Sequence, residues 1–453
     1  MKMQDTMERI IELSKADECI VISEESSNAN VRWANNTTTT NGVADARQLY
    51  VISIKNKRVG VVGRTYFPDD QLEDLVRESE AACEDKPEAE DNAPLIEGIS
   101  NDGWGESLDR IGIEVFSNFA PELAQVFKEA GSSDVKLFGF ADHSTSAVYL
   151  ATSSGMRLGH MQGEGKLELN AKSSDYSRSS WVGQATSTFK DIDLSRHYER
   201  LQQRLGWAEK SLDLDPGHYE VLLEPSAVSD MLLYSYWTSS ARDADEGRTV
   251  FSKPGGGNRK GEKLYPDNVT IYSDPSEPGF EVSPFQVAPT SNSQASVFDN
   301  GLACDRTEWV SRGVLQNLVT PRYWANKTGG PAVPFIDNLI FPSRGPSLDA
   351  MISSTKRALL VTCLWYIREV DPQTLLLTGL TRDGVFLVED GEVKGAVNNF
   401  RFNMSPVAML AQAQELGASE PTLAREFGDY FTFAKVPPVR VADWNMSSVS
   451  QAT

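Results

Sequence analysis

The sequence is poor in the residues from which most active sites are built, with only four His and four Cys among 453. His143, His160, His197 and His218 lie far apart and form neither an H-x-x-x-H nor an H-E-x-x-H pair. Each is expected to be a structural or surface histidine. Cys19, Cys83, Cys304 and Cys363 show no C-x-x-C spacing, which leaves no sign of a zinc ribbon or a disulfide framework and points to small buried residues. No G-x-S-x-G elbow occurs, so a serine nucleophile has no support. Long apolar runs are missing too, and the opening MKMQDTMERIIELSKADE is charged throughout, so a cytoplasmic chain without membrane contact is expected. Basic residues are outnumbered, 43 against 64 acidic, for a net charge of −21. That balance argues against a nucleic-acid partner, because neutralising phosphates needs clustered Lys and Arg.

What is present reads as a folded protein. Hydrophobic residues make up 40%, with nine Trp and thirteen Tyr, and the length suits two to three domains. The expected class is α+β: an N-terminal helix with an antiparallel sheet, a strand-rich middle and a large β-rich C-terminal part. Met7, Ile10, Ile11 and Ser14 mark one side of an opening helix, followed by the strand-like runs ECIVISEE, NVRWANN and LYVISIKNKRVGVVG, with a hairpin turn at Asn56. The Thr37–Thr40 run offers a hydroxyl-lined strand, though an exposed edge or loop is the simpler expectation. These elements give a first domain at 1–83. The acidic, proline-broken segment EDKPEAEDNAP within 84–99 has nothing to bury and reads as a linker. In 100–216, PELAQVFKEA is helical, a meander of short strands follows, and SRHYERLQQRLGWAEKSL returns to helical period. Residues 217–453 carry β-rich runs that include DNVTIYSDP, SVFDNG and RTEWVSRGVLQNLVT. Turns are expected at Asn300–Gly301 and Asp390–Gly391, a late helix at SPVAMLAQAQELG, and a loosely held tail SSVSQAT.

The stretch Glu224–Gly261 draws the candidate chemistry together. Pro225 suits a first helical position, Ser226, Ser229 and Asp230 suit the helix start, and Val228, Met231, Leu232 and Ser235 recur as one packing face. Beyond it, Asp243, Asp245 and Glu246 are carboxylates clustered as Mg²⁺ or Ca²⁺ would want them. Arg242 and Arg248 stand ready to neutralise them, however, which makes a solvated turn the simpler expectation. KPGGGNRKG, which contains Arg259, matches no phosphate-loop spacing and reads as a flexible basic loop able to touch a peptide or a partner subunit. Cys304 and Cys363 are possible thiol nucleophiles in strand-like apolar surroundings, where a buried thiol is inert.

The entry Glu224, Pro225, Ala227, Val228 resembles the central motif of the TldD/PmbA family, and the segments FDNG, RTEW, RGVL, DNL and GVFLVEDGEVKGAVNNFRF are similar to its C-terminal domain. Metal-bearing TldD subunits of that family carry HExxxH after this entry. Aligned here, the histidines fall on Leu233 and Thr238 and the glutamate on Tyr234. Leucine has no donor atom, and a phenol or a neutral hydroxyl is a poor zinc ligand and a poor general base. On an ideal helix, positions five apart sit roughly 140° apart, so such a site also needs help from outside. TldD-type subunits add a cysteine near the C-terminus, and none follows Cys363 here.

The resemblance therefore implies the metal-less TldE (PmbA) branch. It implies no zinc and no catalytic residue in this chain, zinc in a TldD-like HExxxH partner, and a dimer with that partner or with itself acting on unfolded or short peptides. Tyr234, Tyr236 and Trp237 would fill the lost cavity as core, with Tyr236, Trp237, Asp243, Asp245, Glu246 and Arg259 as candidate substrate or partner contacts. Two other readings stay open. One is a self-contained hydrolase using Asp243, Asp245, Glu246 or Cys304. The other is an acidic protein that binds DNA gyrase without catalysis, as the family's older name of gyrase modulator suggests.

Overall fold

The computed structural model describes residues 2–450. Helix α1 (Met3–Leu13) leads into β1 (Glu18–Ala34), β2 (Thr37–Lys55) and β3 (Arg58–Arg64), followed by α2 (Leu72–Ala81) and α3 (Phe119–Ser132). Next come β4 (Val135–Thr152), β5 (Arg157–Ser173), β6 (Ser179–Thr186) and α4 (Leu194–Trp207). The six strands form one antiparallel sheet in the order β3-β2-β1-β4-β5-β6. Hence the units expected at 1–83 and 100–216 share a single sheet, because β4 zips along almost the whole of β1. Asn56 and Lys57 turn the β2–β3 hairpin with φ of 50° and 62°, the left-handed pair that matches strand twist. Thr37–Thr40 lie exposed on β2, as expected.

The strands are longer than their sequence suggests. ECIVISEE and NVRWA belong to one 17-residue strand, with Asn35 and Asn36 forming the turn after it, and the expected meander is two strands of 18 and 17 residues. One sheet face is covered by the four helices. Met7, Ile10, Leu75 and Val76 pack on Val21, Val51 and Tyr149, while Phe119, Leu123, Leu201 and Leu205 pack on Val31, Leu137 and Leu167. Each helix buries an apolar stripe there, the usual solution for a sheet with one face to close.

The opposite face changes character along its length. Directly paired residues share a face, so the register places Ile20, Ile22, Ile52, Leu150 and Leu158 together at one end, where they pack on Phe285, Val297 and Phe298 of the C-terminal half. The next rows are polar: Glu24–Val148–His160, Ser26–Ser146–Gln162, Asn28–Ser144–Glu164 and Asn30–Asp142–Lys166. At these rows Thr432 Oγ1 donates to Glu164 (2.7 Å) and Lys166 pairs with Asp429, so the sheet meets the C-terminal half a second time.

Residues 84–98 hold no regular element, but the segment is not a free linker. Ala93 and Leu95 enter the apolar contact between the halves, Glu90 pairs with Arg242 (2.8 Å), Asp91 accepts from Ser296 (2.7 Å) and the Pro94 carbonyl accepts from Arg322 (2.9 Å). Ala93 and Leu95, with Ala89 and Ile96 packed beside them and these polar contacts, tie the acidic run down as a strap.

After a short β7 (Ser211–Leu212), β8 (Gly217–Leu223) joins a ten-stranded mixed sheet, between the parallel strand Arg357–Val361 and the antiparallel strand Val439–Val449. A second six-stranded sheet includes Ile271–Ser273, Thr307–Ser311 and Ala434–Val436. Helix α5 (Pro225–Trp237) touches strands of both. It is therefore buried on every side, from Pro225 through Leu233 and at Tyr236, and not along the single face that its spacing suggested. Three further expectations change. SVFDNG forms a 3₁₀ turn (Val297–Asp299) and no strand, and the late helix stops at Ala411, with Ala413–Leu416 returning to the sheet. Ser447 to Val449 are strand, held by pairing with Phe400–Met404, while Gln451–Thr453 lie outside the described residues.

Candidate functional site

Between the two contacts of the halves lies a crevice of about 440 Å³. The sheet supplies Glu24, Ser146, His160 and Gln162; the C-terminal half supplies Phe285, Gln286, Cys304, Phe335 and Asp337, and α5 adds its last residue, Trp237. Among the described residues, no Lys or Arg lines it. Glu24 is exposed to the crevice, and surrounding protein raises its carboxyl above the ordinary range. Asp337 is also reached by solvent, yet protein encloses it on the scale over which charge is screened. That enclosure, with the negative Glu164 adding to it, lifts the Asp337 carboxyl to about 6. Burial lowers His160, which favours a neutral ring at pH 7. It also pushes the Cys304 thiol up to about 12, with Asp337 and Asp305 contributing, so no thiolate forms there near neutrality.

Tyr236 fixes one wall. Its hydroxyl donates to the Ile336 carbonyl and accepts the Ile336 N–H, both at 2.9 Å, and its ring stacks on Phe335 at 4.4 Å. Burial drives its phenol well above the ordinary value. Of the three rings on this stretch, Tyr236 is core, Tyr234 packs edge-on to Phe427 (5.8 Å), and Trp237 packs on Phe427 (4.9 Å) while facing the crevice. Leu233 is fully buried. The Thr238 hydroxyl donates back to the Tyr234 and Ser235 carbonyls (3.2 and 3.0 Å), closing the helix end. Burial, with Glu369 next, raises the Tyr234 phenol.

Asp230 has a role its sequence position hid. It lies past the helix start, wholly buried, with Oδ1 accepting the N–H groups of Glu426 (3.0 Å) and Phe427 (3.2 Å) and Oδ2 without a partner. Desolvation raises its carboxyl well above the ordinary value, and through Oδ1 it holds the 425–428 loop.

The charged turn is consumed internally. Asp243 pairs with Arg248 (2.6 Å), and Glu246 with Arg242 (3.3 Å) and Arg248. Asp245 accepts from Asn258 Nδ2 (2.7 Å) and Trp324 Nε1 (2.8 Å), while Arg259 pairs with Glu262 (3.0 Å). None of these four lines the crevice. Among the described residues, no three His, Cys, Asp or Glu side chains are grouped so as to hold a metal ion. Of the residues singled out from sequence, Trp237 and Cys304 line the crevice, while Glu24, Gln286 and Asp337 were not singled out and His160 was expected to be structural or at the surface. Glu24 had a faint signal, being a charged residue that follows Ile20 and Ile22 on one face of β1.

Residues 216–448, just over half of the chain, match the family model described as the PmbA/TldA metallopeptidase C-terminal domain. The chain belongs to the TldD/PmbA family. Its fold is shared by TldE from Thermococcus kodakarensis, at 17% identity and a TM-score of 0.78 over 98% of this chain and 99% of that one. A proposed DNA gyrase modulator from Thermotoga maritima MSB8 is similar at 15% identity and a TM-score of 0.77, again over 98% and 99%. Another, from Bacteroides thetaiotaomicron VPI-5482, gives 14% and 0.75 over 98% of each chain. No curated protein sequence matches. Set against the TldD/PmbA zinc motif, the side chains present do not fit a zinc ion. Leu233 has nothing to donate, the Tyr234 phenol resists ionisation, and the Thr238 hydroxyl is tied to its own helix.

Proposed function

We propose that this chain is the metal-free, TldE-like subunit of a two-component peptidase, acting in the cytoplasm as a dimer with an HExxxH-bearing, TldD-like partner or with a second copy. The observation that carries the reading is the donor set at Leu233, Tyr234 and Thr238: an alkyl group, a raised phenol and a hydroxyl already bonded. In this reading zinc and the water it activates belong to the partner, and this chain supplies chamber wall. Its crevice beside Trp237 takes part of an unfolded or short peptide, with strand-type backbone contacts as a further source of affinity. A hydrolase acting alone finds little support, since Asp243, Asp245 and Glu246 are already partnered and Cys304 is held as a thiol.

Metal analysis of the purified chain should give far less than one zinc per chain. Peptide cleavage should appear only when the HExxxH subunit is added. One zinc per chain, or cleavage by the chain alone that Cys304→Ala removes, overturns the reading. A pull-down that returns a gyrase subunit and no HExxxH protein points instead to a modulator without catalysis.

A further inference from the structure

Two carboxylates open onto the crevice without any cation to answer them. Glu24, from β1, and Asp337, from the loop held by Tyr236, make no ion pair and accept no hydrogen bond among the described residues, and no lining residue is basic. The first cation along the sheet face, Lys166, stands two rows past Gln162 and is held by Asp429. Unpaired carboxylates that protein surrounds are costly to keep charged, and chains as rich in ion pairs as this one ordinarily neutralise them internally. A separate observation concerns Gln286. It lines the same crevice, is only 7% exposed, and its Nε2 has no partner, which is rare for a buried amide. Trp237, Phe285 and Phe335 lie along the walls and suit the alkyl stem or the face of a charged side chain. The volume falls within the range of small-ligand pockets.

We propose that the crevice is a subsite for one positively charged group of an extended peptide, an ammonium or guanidinium held between Glu24 and Asp337, with the Gln286 amide donating to a peptide carbonyl. This deepens the peptide-binding reading and rests on it. A lysine or arginine side chain and a free amino terminus share the required chemistry. The raised carboxyls agree with it, since an arriving cation would draw both back toward the ionised state.

The test measures binding to the full chain by fluorescence anisotropy at low salt. The probes are a flexible N-acetylated peptide with one central arginine, its citrulline twin, and the citrulline peptide with a free amino terminus. Agmatine binding is followed by calorimetry. The arginine peptide should bind at least about tenfold more tightly than the citrulline twin, and E24Q/D337N should erase that difference while melting no lower than the parent, since neither change removes a hydrogen bond. Tighter binding of the free-amine peptide than of its acetylated twin assigns the subsite to the amino terminus; preference for arginine alone assigns it to a side chain. Equal binding of all three peptides, or a preference for the charged peptide that survives in E24Q/D337N, overturns the subsite and leaves the peptide reading standing. Agmatine binding that E24Q/D337N removes, with no peptide bound, keeps the cation site and overturns the peptide reading. Binding of neither overturns both.

Discussion

The charged turn at 242–262 and the crevice carry the same kinds of side chain and put them to opposite uses. In the turn, carboxylates crowd together in sequence and each has found its partner: Asp243 on Arg248, Glu246 on Arg242 and Arg248, Asp245 on Trp324 and Asn258. At the crevice, carboxylates arrive from remote segments and meet no base. Density of charge along the chain therefore signals a solvated, self-neutralised surface. At the crevice the fold leaves charge unanswered among the described residues, and the proposed subsite rests on that difference.

Asp230 stands between the two cases, partnered at one oxygen and bare at the other, and gives the largest expected effect. Asp230→Ala strands two backbone N–H groups and should destabilise the chain by about 2–4 kcal/mol in urea unfolding. Asp230→Asn keeps an acceptor and should lose less stability than the parent as pH rises. The acid's raised carboxyl favours the fold fully below 3.8, and that benefit fades as pH rises through its folded value. Next, Asp245→Ala should lower stability by about 2 kcal/mol, because Trp324 Nε1 and Asn258 Nδ2 lose their acceptor, and should leave peptide affinity unchanged. Loss of peptide binding in that variant would break the contrast drawn here.

A smaller effect concerns pH. Since the Asp337 carboxyl rises from 3.8 to about 6, its contribution to stability is complete below 3.8 and is lost as pH climbs toward 6. Melting curves of D337N should therefore fall less steeply over that interval than those of the parent. The smallest is Arg248→Ala, expected within about 0.5 kcal/mol because the Arg248 side chain is more than half exposed.

Much of the architecture could be read from the residues, and what could not has identifiable causes. The hairpin at Asn56 and the start of α5 at Pro225 follow from local backbone chemistry, which sequence states directly. The unity of β1 was hidden because small buried hydroxyls, Ser23 and Ser27, occupy the helix-covered face just where Glu24, Ser26 and Asn28 occupy the other. With both faces polar, the alternation that announces a strand disappears. The positions expected to match the zinc motif, Leu233, Tyr234 and Thr238, could be named from their spacing alone. The crevice could not, because Glu24 and Asp337 come together only through the docking of two sheets.

The strap at 84–98 has a mechanical consequence. With Ala93 and Leu95, and Ala89 and Ile96 packed beside them, it joins the apolar contact between the halves and adds three polar contacts to it. Parting the halves along that seam would break these contacts, so the strap works against any widening of the gap above the sheet.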